Sequence, residues 1–208
     1  MPTPDFDLYL VTDRNRTQAR DLLWVLQRAL DGGVRAVQLR EKDLGGKELF
    51  LLAEATRRLT QRYQAFIFIN DRIDVALAVG ADGVQLGKAS IPIETARELL
   101  GPQKMIGAST HSLEEARAAE QSSADFVLFG PVYFTPSKAS YGKPQGLAPL
   151  KKIVEKISLP VYAIGGIKPE NIEVAKRTGI RGVALISAVM SASDPTDATR
   201  RILGLLQM

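Results

Sequence analysis

Short apolar runs alternate with longer amphipathic stretches from one end of the chain to the other. Runs of four or five residues read as strands at 7–11, 35–39, 66–69, 83–86, 104–107, 125–129, 160–164 and 182–186. Between and after them, apolar residues recur at three- and four-residue spacing over 22–30, 47–59, 71–79, 93–100, 112–120, 147–156, 169–177 and 195–206, which predicts helices. Buried strands separated by helices pair in parallel through helical crossovers. Eight such units predict a single-domain (β/α)8 TIM barrel over residues 1–208, because closure removes both sheet edges. A doubly wound open sheet fits less well. It has fewer strands and a glycine-rich first βα turn, whereas this turn reads Val11-Thr12-Asp13-Arg14-Asn15.

Helix punctuation agrees with this division. Ser112 and Glu115 form a capping-box pattern at a helix start. Pro169 fits the first position of the next helix. Gly32-Gly33, Gly80 and Gly179 stand where helices must stop. The one long irregular segment is 132–146, and a loop of that length in a compact barrel predicts a functional role or motion.

Composition narrows the chemistry. The chain has no cysteine and one histidine, His111, so disulfides, thiolate nucleophiles, Cys-ligated zinc and multi-His metal sites are excluded. His111 sits just before a helix cap and reads as structural. The net charge of +4 comes from scattered residues, without a basic run or an exposed aromatic platform, so no nucleic-acid partner is expected. A mild positive excess suits anionic small molecules equally well. No apolar run reaches transmembrane length and no targeting segment opens the chain, so a cytoplasmic protein without membrane contact is expected, with a homo-oligomer open.

Active sites of such barrels lie at the carboxyl ends of the strands. After the second strand come Gln38, Arg40 and Lys42, which alternation would put on one side if the strand continued. A polar amide and two cations there suit a polyanion, or are a solvated strand end. After the third come Asn70 and Asp71, either a helix N-cap or a phosphate donor with a Mg²⁺ ligand. After the fourth comes Lys88, with no carboxylate beside it. Ser109 follows the fifth. Thr135, Ser137 and Lys138 follow the sixth in a proline-shaped loop. Gly165-Gly166 follow the seventh, and Ile186-Ser187 the eighth. Glycines admit close backbone approach to phosphate, and these last two loops are the recurrent phosphate site of the fold. A cationic region and a glycine-rich region in one mouth imply transfer or condensation between two phosphorylated substrates.

Tyr9-Leu-Val-Thr-Asp13, Gln38-Leu-Arg-Glu-Lys42, Asn70-Asp-Arg72, Gly80-Ala-Asp-Gly-Val84, Gly130-Pro-Val-Tyr133, Thr135-Pro-Ser-Lys138 and Ala163-Ile-Gly-Gly-Ile167 resemble the thiamine phosphate synthase family, in order and at family spacing. The resemblance implies joining of hydroxymethylpyrimidine diphosphate to thiazole phosphate with release of diphosphate. It makes Arg40, Lys42, Lys138 and Ser109 the catalytic set. Gln38, Arg40, Lys42, Asn70 and Lys138 become diphosphate or pyrimidine contacts, and Ser109 a pyrimidine-side contact. Thr135 and Ser137 become phosphate contacts, and Gly165, Gly166, Ile186 and Ser187 the thiazole phosphate cradle. Asp71 becomes the ligand of a Mg²⁺ cofactor. The chain departs from the family pattern at the fourth strand. There the usual Gly-Val-His-x-Gly-Gln-x-Asp is Gly83-Val-Gln85-Leu-Gly-Lys88-Ala-Ser90, so a second metal carboxylate is replaced by Ser90. That departure keeps open a thiazole tautomerase of the same superfamily, although Pro131 stands where tautomerases can carry an acid/base histidine. A silent ligand-binding barrel is the third reading.

Overall fold

The structure, a computed structural model, describes residues 3–135 and 143–207. Eight parallel strands close into a barrel in chain order: β1 (Leu8–Val11), β2 (Ala36–Leu39), β3 (Phe66–Asn70), β4 (Gly83–Leu86), β5 (Met105–Thr110), β6 (Phe126–Phe129), β7 (Val161–Ile164) and β8 (Gly182–Leu185). The helices are α1 (Leu22–Asp31), α2 (Gly46–Arg62), α3 (Ile73–Ala78), α4 (Ile93–Leu100), α5 (Leu113–Gln121), α6 (Leu147–Lys156), α7 (Pro169–Lys176), a short α8 (Ser187–Met190) and α9 (Pro195–Gln207). All eight strands and all eight helices expected from periodicity are present. Among the described residues the additions are α8, a single turn too short to show a period, and a three-residue 3-10 turn at Arg14–Arg16.

Alternation along each strand builds two cores. Outward residues such as Leu10, Val37, Ile67, Ile69, Val84 and Ile106 meet the apolar faces of the helices. Inward residues Tyr9, Phe68, Phe126 and Tyr162 fill the barrel, with Phe6 closing its base. The rings of Phe6 and Tyr162 stack with centroids 5.0 Å apart, and Tyr9 meets Phe68 edge-on at 5.2 Å. Such packing makes the lower barrel a solid core, so a ligand has access only from above.

The bottom rim is locked by carboxylates. Asp82, just before β4, accepts from the Ile67 amide and from Arg57 of α2, both at 2.8 Å. Asp125, just before β6, does the same with Ile106 (2.7 Å) and with Arg97 of α4 (2.6 Å). The Gly80–Val84 motif therefore carries stability through Asp82, far from the strand ends where chemistry takes place.

Two strand boundaries differ from expectation in ways that matter for the site. Strand β5 continues past Gly107 to Thr110, pairing Ser109 with Leu128 and Thr110 with Phe129. Gly107 does not stop the strand. A Cβ there would lie 2.3 Å from Gln85 Oε1 and 2.4 Å from the Phe126 ring, so the glycine makes room for both. Helix α3 starts at Ile73 rather than at residue 71, because Asp71 takes the left-handed conformation with φ +60°.

Candidate active site at the barrel mouth

The uppermost inward positions divide the mouth into two arcs. On β2 to β5 they are Gln38, Asn70, Gln85 and Ser109, each two residues above an inward neighbour or set by the same alternation. On β6, β7 and just past β8 they are Leu128, Ile164 and Ile186, packed on the barrel interior. The polar arc is internally bonded. Gln38, 2% exposed, donates from Nε2 to Asn70 Oδ1 at 2.9 Å. Gln85 is 1% exposed and donates from Nε2 to Ser109 Oγ at 3.0 Å, while its Oε1 accepts from the Tyr9 hydroxyl at 3.4 Å. Burial pushes the Tyr9 phenol well above its ordinary range, so Tyr9 stays a donor. Ser109, already accepting from Gln85, keeps its own proton for a ligand.

Asp71 stands at the end of this arc. Its amide donates to Gln85 O at 3.0 Å. Arg72, not Asp71, occupies the N-cap position of α3, and no side chain caps that helix. The helix-cap reading of Asp71 is thereby set aside. Its exposed carboxylate accepts from Asn70 Nδ2 at 2.6 Å and from the Ser90 hydroxyl. Ser90 Oγ also accepts from the Gly87 amide at 2.7 Å, which fixes the β4 loop against Asp71. No group of three or more His, Cys, Asp or Glu side chains able to hold a metal occurs among the described residues.

Strand β2 does not continue to Lys42. Pairing ends at Leu39, residues 42–43 form a turn, and the condition for Gln38, Arg40 and Lys42 to share one face is not met. Gln38 is buried, Arg40 is half-buried and Lys42 is exposed. Neither cation's side chain makes an ion pair or hydrogen bond among the described residues. Between them Glu41 is buried, a residue that periodicity alone did not single out.

The glycine half is shaped first by packing. Gly165 and Gly166 have φ of +93° and +67°. A Cβ on Gly165 would lie 2.6 Å from Pro131 Cα, and one on Gly166 would lie 2.6 Å from Phe134 O. The β6 loop thus rests directly on the β7 loop, with Val132 N donating to Ile164 O and Tyr133 N to Gly165 O, both at 2.9 Å. Among the described residues, the amides of Gly165 and Gly166 have no acceptor. Ile186 and Ser187 sit at the start of α8, whose first amides lack intrahelical partners. Arg20 holds the other end of α8, donating to Met190 O (3.3 Å), Ala192 O (2.7 Å) and Ser193 O (3.1 Å).

Thr135 is half-buried where the β6 loop begins, and Ser137 and Lys138 lie outside the described residues. The base of that loop is closed by Gln145 N donating to Pro131 O (2.8 Å) and Gly146 N to Val132 O (3.0 Å). The His111 amide donates to Glu115 Oε2 at 2.7 Å and its Nδ1 lies 3.1 Å from the same oxygen. A cavity of about 330 Å³ opens between α4 and α5, to one side of the mouth, and shares Lys88, Ser90 and Ser109 with it.

Comparison with known proteins identifies the family. The family described as "Thiamine monophosphate synthase" matches residues 8–189. The chain is 53% identical to a "Putative thiamine-phosphate synthase" of Geobacter sulfurreducens, over 99% of this chain and 97% of that one. It is 45% identical to a thiamine-phosphate synthase of Pyrococcus abyssi, over 96% and 94%. Its fold matches a thiamine phosphate pyrophosphorylase structure from Pyrococcus furiosus with a TM-score of 0.88 at 42% identity, covering 97% and 96%. A 3-hexulose-6-phosphate synthase, at 17% identity and a TM-score of 0.69, shares the barrel alone. On this evidence the chain belongs to the thiamine monophosphate synthase family of transferases.

Proposed function

We propose that the protein joins hydroxymethylpyrimidine diphosphate to thiazole phosphate, forming thiamine phosphate and releasing diphosphate. The observation that carries this reading is the division of one mouth into a polar, cation-flanked arc on β2 to β5 and a glycine-rich arc at β7 and β8.

The pyrimidine lies against Gln38, Asn70 and Ser109, whose amide and hydroxyl groups are held in place by the bonds from Gln85 and to Asn70. Its diphosphate faces Arg40 and Lys42, and Ser137 and Lys138, outside the described residues, are assigned to the same group by their place in the sequence. The thiazole phosphate sits on the Gly165 and Gly166 amides and the first turn of α8 at Ile186 and Ser187, with Thr135 beside it. Loops after strands 7 and 8 and a short extra helix form the recurrent phosphate site of this fold.

In the reaction the bond between the pyrimidine methylene carbon and the diphosphate oxygen breaks, and its electron pair leaves with diphosphate. The thiazole nitrogen then supplies the pair that forms the new C–N bond. The protein's work is to stabilise charge on the departing oxygens and to hold both partners in line. The Arg40 and Lys42 cations do the first and the two half-sites the second.

Asp71 fits a place beside Mg²⁺, with the Ser90 oxygen next to it. All donors here are oxygens, and Mg²⁺ in phosphate sites takes one or two carboxylates with substrate oxygens completing its shell. When bound, the ion neutralises diphosphate charge.

Purified protein incubated with both substrates and Mg²⁺ tests the reading. The expected result is thiamine phosphate and diphosphate in equal amounts. No product at saturating Mg²⁺ overturns it.

A further inference from the structure

The segment Arg40-Glu41-Lys42-Asp43 alternates cation and carboxylate, yet its four side chains do not pair with one another. Both carboxylates are taken by Arg14 from the β1 loop. The Arg14 guanidinium donates to Asp43 Oδ1 at 2.6 Å and Oδ2 at 2.7 Å, and to Glu41 Oε2 at 3.3 Å. The Arg14 amide adds a bond to Glu41 Oε2 at 3.1 Å. The other oxygen of Glu41 accepts from the Thr12 hydroxyl at 2.6 Å, and that hydroxyl accepts from the Arg40 amide at 2.9 Å. The Glu41 side chain is 2% exposed.

We infer that Arg14 is a positioning residue that sequesters the Glu41 and Asp43 carboxylates and so leaves Arg40 and Lys42 uncompensated for a diphosphate group. Without Arg14, the exposed Asp43 carboxylate is free to swing to the adjacent Lys42 or to Arg40. Each such pair cancels a charge that would otherwise meet the ligand. Arg14 suits this task because its planar fork takes one carboxylate with two bonds while still reaching the second. Thr12 has the companion role, tying Glu41 away from the mouth and fixing the backbone of Arg40. The inference rests on the proposed assignment of Arg40 and Lys42 to diphosphate.

The test is inhibition by inorganic diphosphate, measured as Ki in Arg14→Gln, Asp43→Asn, the double variant and Arg40→Ala. Arg14→Gln should raise Ki about fivefold, the scale of an exposed ion pair gained by the wrong partner. Asp43→Asn alone should leave Ki unchanged. The double variant should return Ki to within about twofold of the parent, since the competing carboxylate is gone. A purely structural role for Arg14 would not be rescued by Asp43→Asn. An unchanged Ki in Arg14→Gln, or no rescue in the double variant, overturns the inference while a raised Ki in Arg40→Ala leaves the diphosphate site standing. An unchanged Ki in Arg40→Ala overturns the site assignment itself. If Arg14→Gln does not fold, Arg14→Lys, which keeps the charge but loses the fork, should also raise Ki, and adding Asp43→Asn should return it to within about twofold of the parent; an unchanged Ki in Arg14→Lys, or no rescue, counts against the inference.

Discussion

The Ser90 hydroxyl donates to Oδ1 of Asp71 while Asn70 Nδ2 donates to Oδ2 of the same carboxylate at 2.6 Å. Each oxygen of the Asp71 carboxylate therefore already accepts one hydrogen bond before any ligand arrives. A divalent ion shares this carboxylate with two donors already on it, and no group of three or more His, Cys, Asp or Glu side chains able to hold it occurs among the described residues. Its remaining ligands must come from diphosphate and water.

The free protein should accordingly bind Mn²⁺, as a spectroscopic stand-in for Mg²⁺, only weakly, and inorganic diphosphate should tighten that binding at least about tenfold. Ser90→Asp supplies the missing carboxylate and should tighten Mn²⁺ binding in the absence of diphosphate. Titration followed by the loss of the free-ion paramagnetic signal reads both. Asp71→Asn should abolish the effect and leave melting nearly unchanged, because Asn tolerates the left-handed backbone and the residue caps no helix. Tight Mn²⁺ binding by the free parent protein would contradict this account.

Gly166 is constrained twice, by φ of +67° and by the Phe134 carbonyl 2.6 Å from where a Cβ would stand. Gly166→Ala should cost about 1–3 kcal/mol of stability through backbone strain and a displaced β6 loop. Because that loop also shapes the proposed phosphate cradle, KM for thiazole phosphate should rise more than KM for the pyrimidine substrate. Denaturant melts and steady-state kinetics measure both, and an equal change in the two KM values would argue against the assigned cradle.

Arg20 stands outside the mouth but holds the last carbonyls of α8 and the turn beyond. Arg20→Ala should let α8 fray and raise KM for thiazole phosphate about fivefold, while diphosphate inhibition stays at the parent value. A change in diphosphate Ki instead would show that α8 does not belong to the thiazole half.

The Arg14 guanidinium holds the Asp43 carboxyl below its ordinary value of 3.8. A depressed carboxylate contributes stability above its unfolded value and loses it as pH falls through the folded one. Asp43→Asn should thus lower the melting temperature at pH 7, with the difference shrinking as pH falls below about 3.8 and gone once pH has passed below the depressed folded value. A difference that persists in acid would mean the Arg14–Asp43 pair is not its source.

Much of this was legible from the chain alone. Alternating strands and amphipathic helices fixed the barrel, because each strand is buried on both faces and each helix on one. The site positions at Gln38, Asn70, Asp71, Ser109, Gly165 and Gly166 follow from asking what stands at each strand end. What periodicity missed has local causes. Gly107 read as a strand end, since a glycine that breaks a strand and one that admits Gln85 and Phe126 look alike in one dimension. Asp71 read equally as a cap, since its left-handed backbone is not encoded in its residue type. The four-residue α8 has no period to detect. The Arg14–Glu41 contact joins residues 27 apart, a separation that no local period marks.

The central claim is that one mouth holds two separate anion sites, and simultaneous binding tests it most directly. Isothermal titration of thiazole phosphate into the protein saturated with inorganic diphosphate and Mg²⁺ should give a Kd within about threefold of that without diphosphate, or a tighter one. Competition between the two, with thiazole phosphate displaced as diphosphate rises, would contradict the two-site mouth.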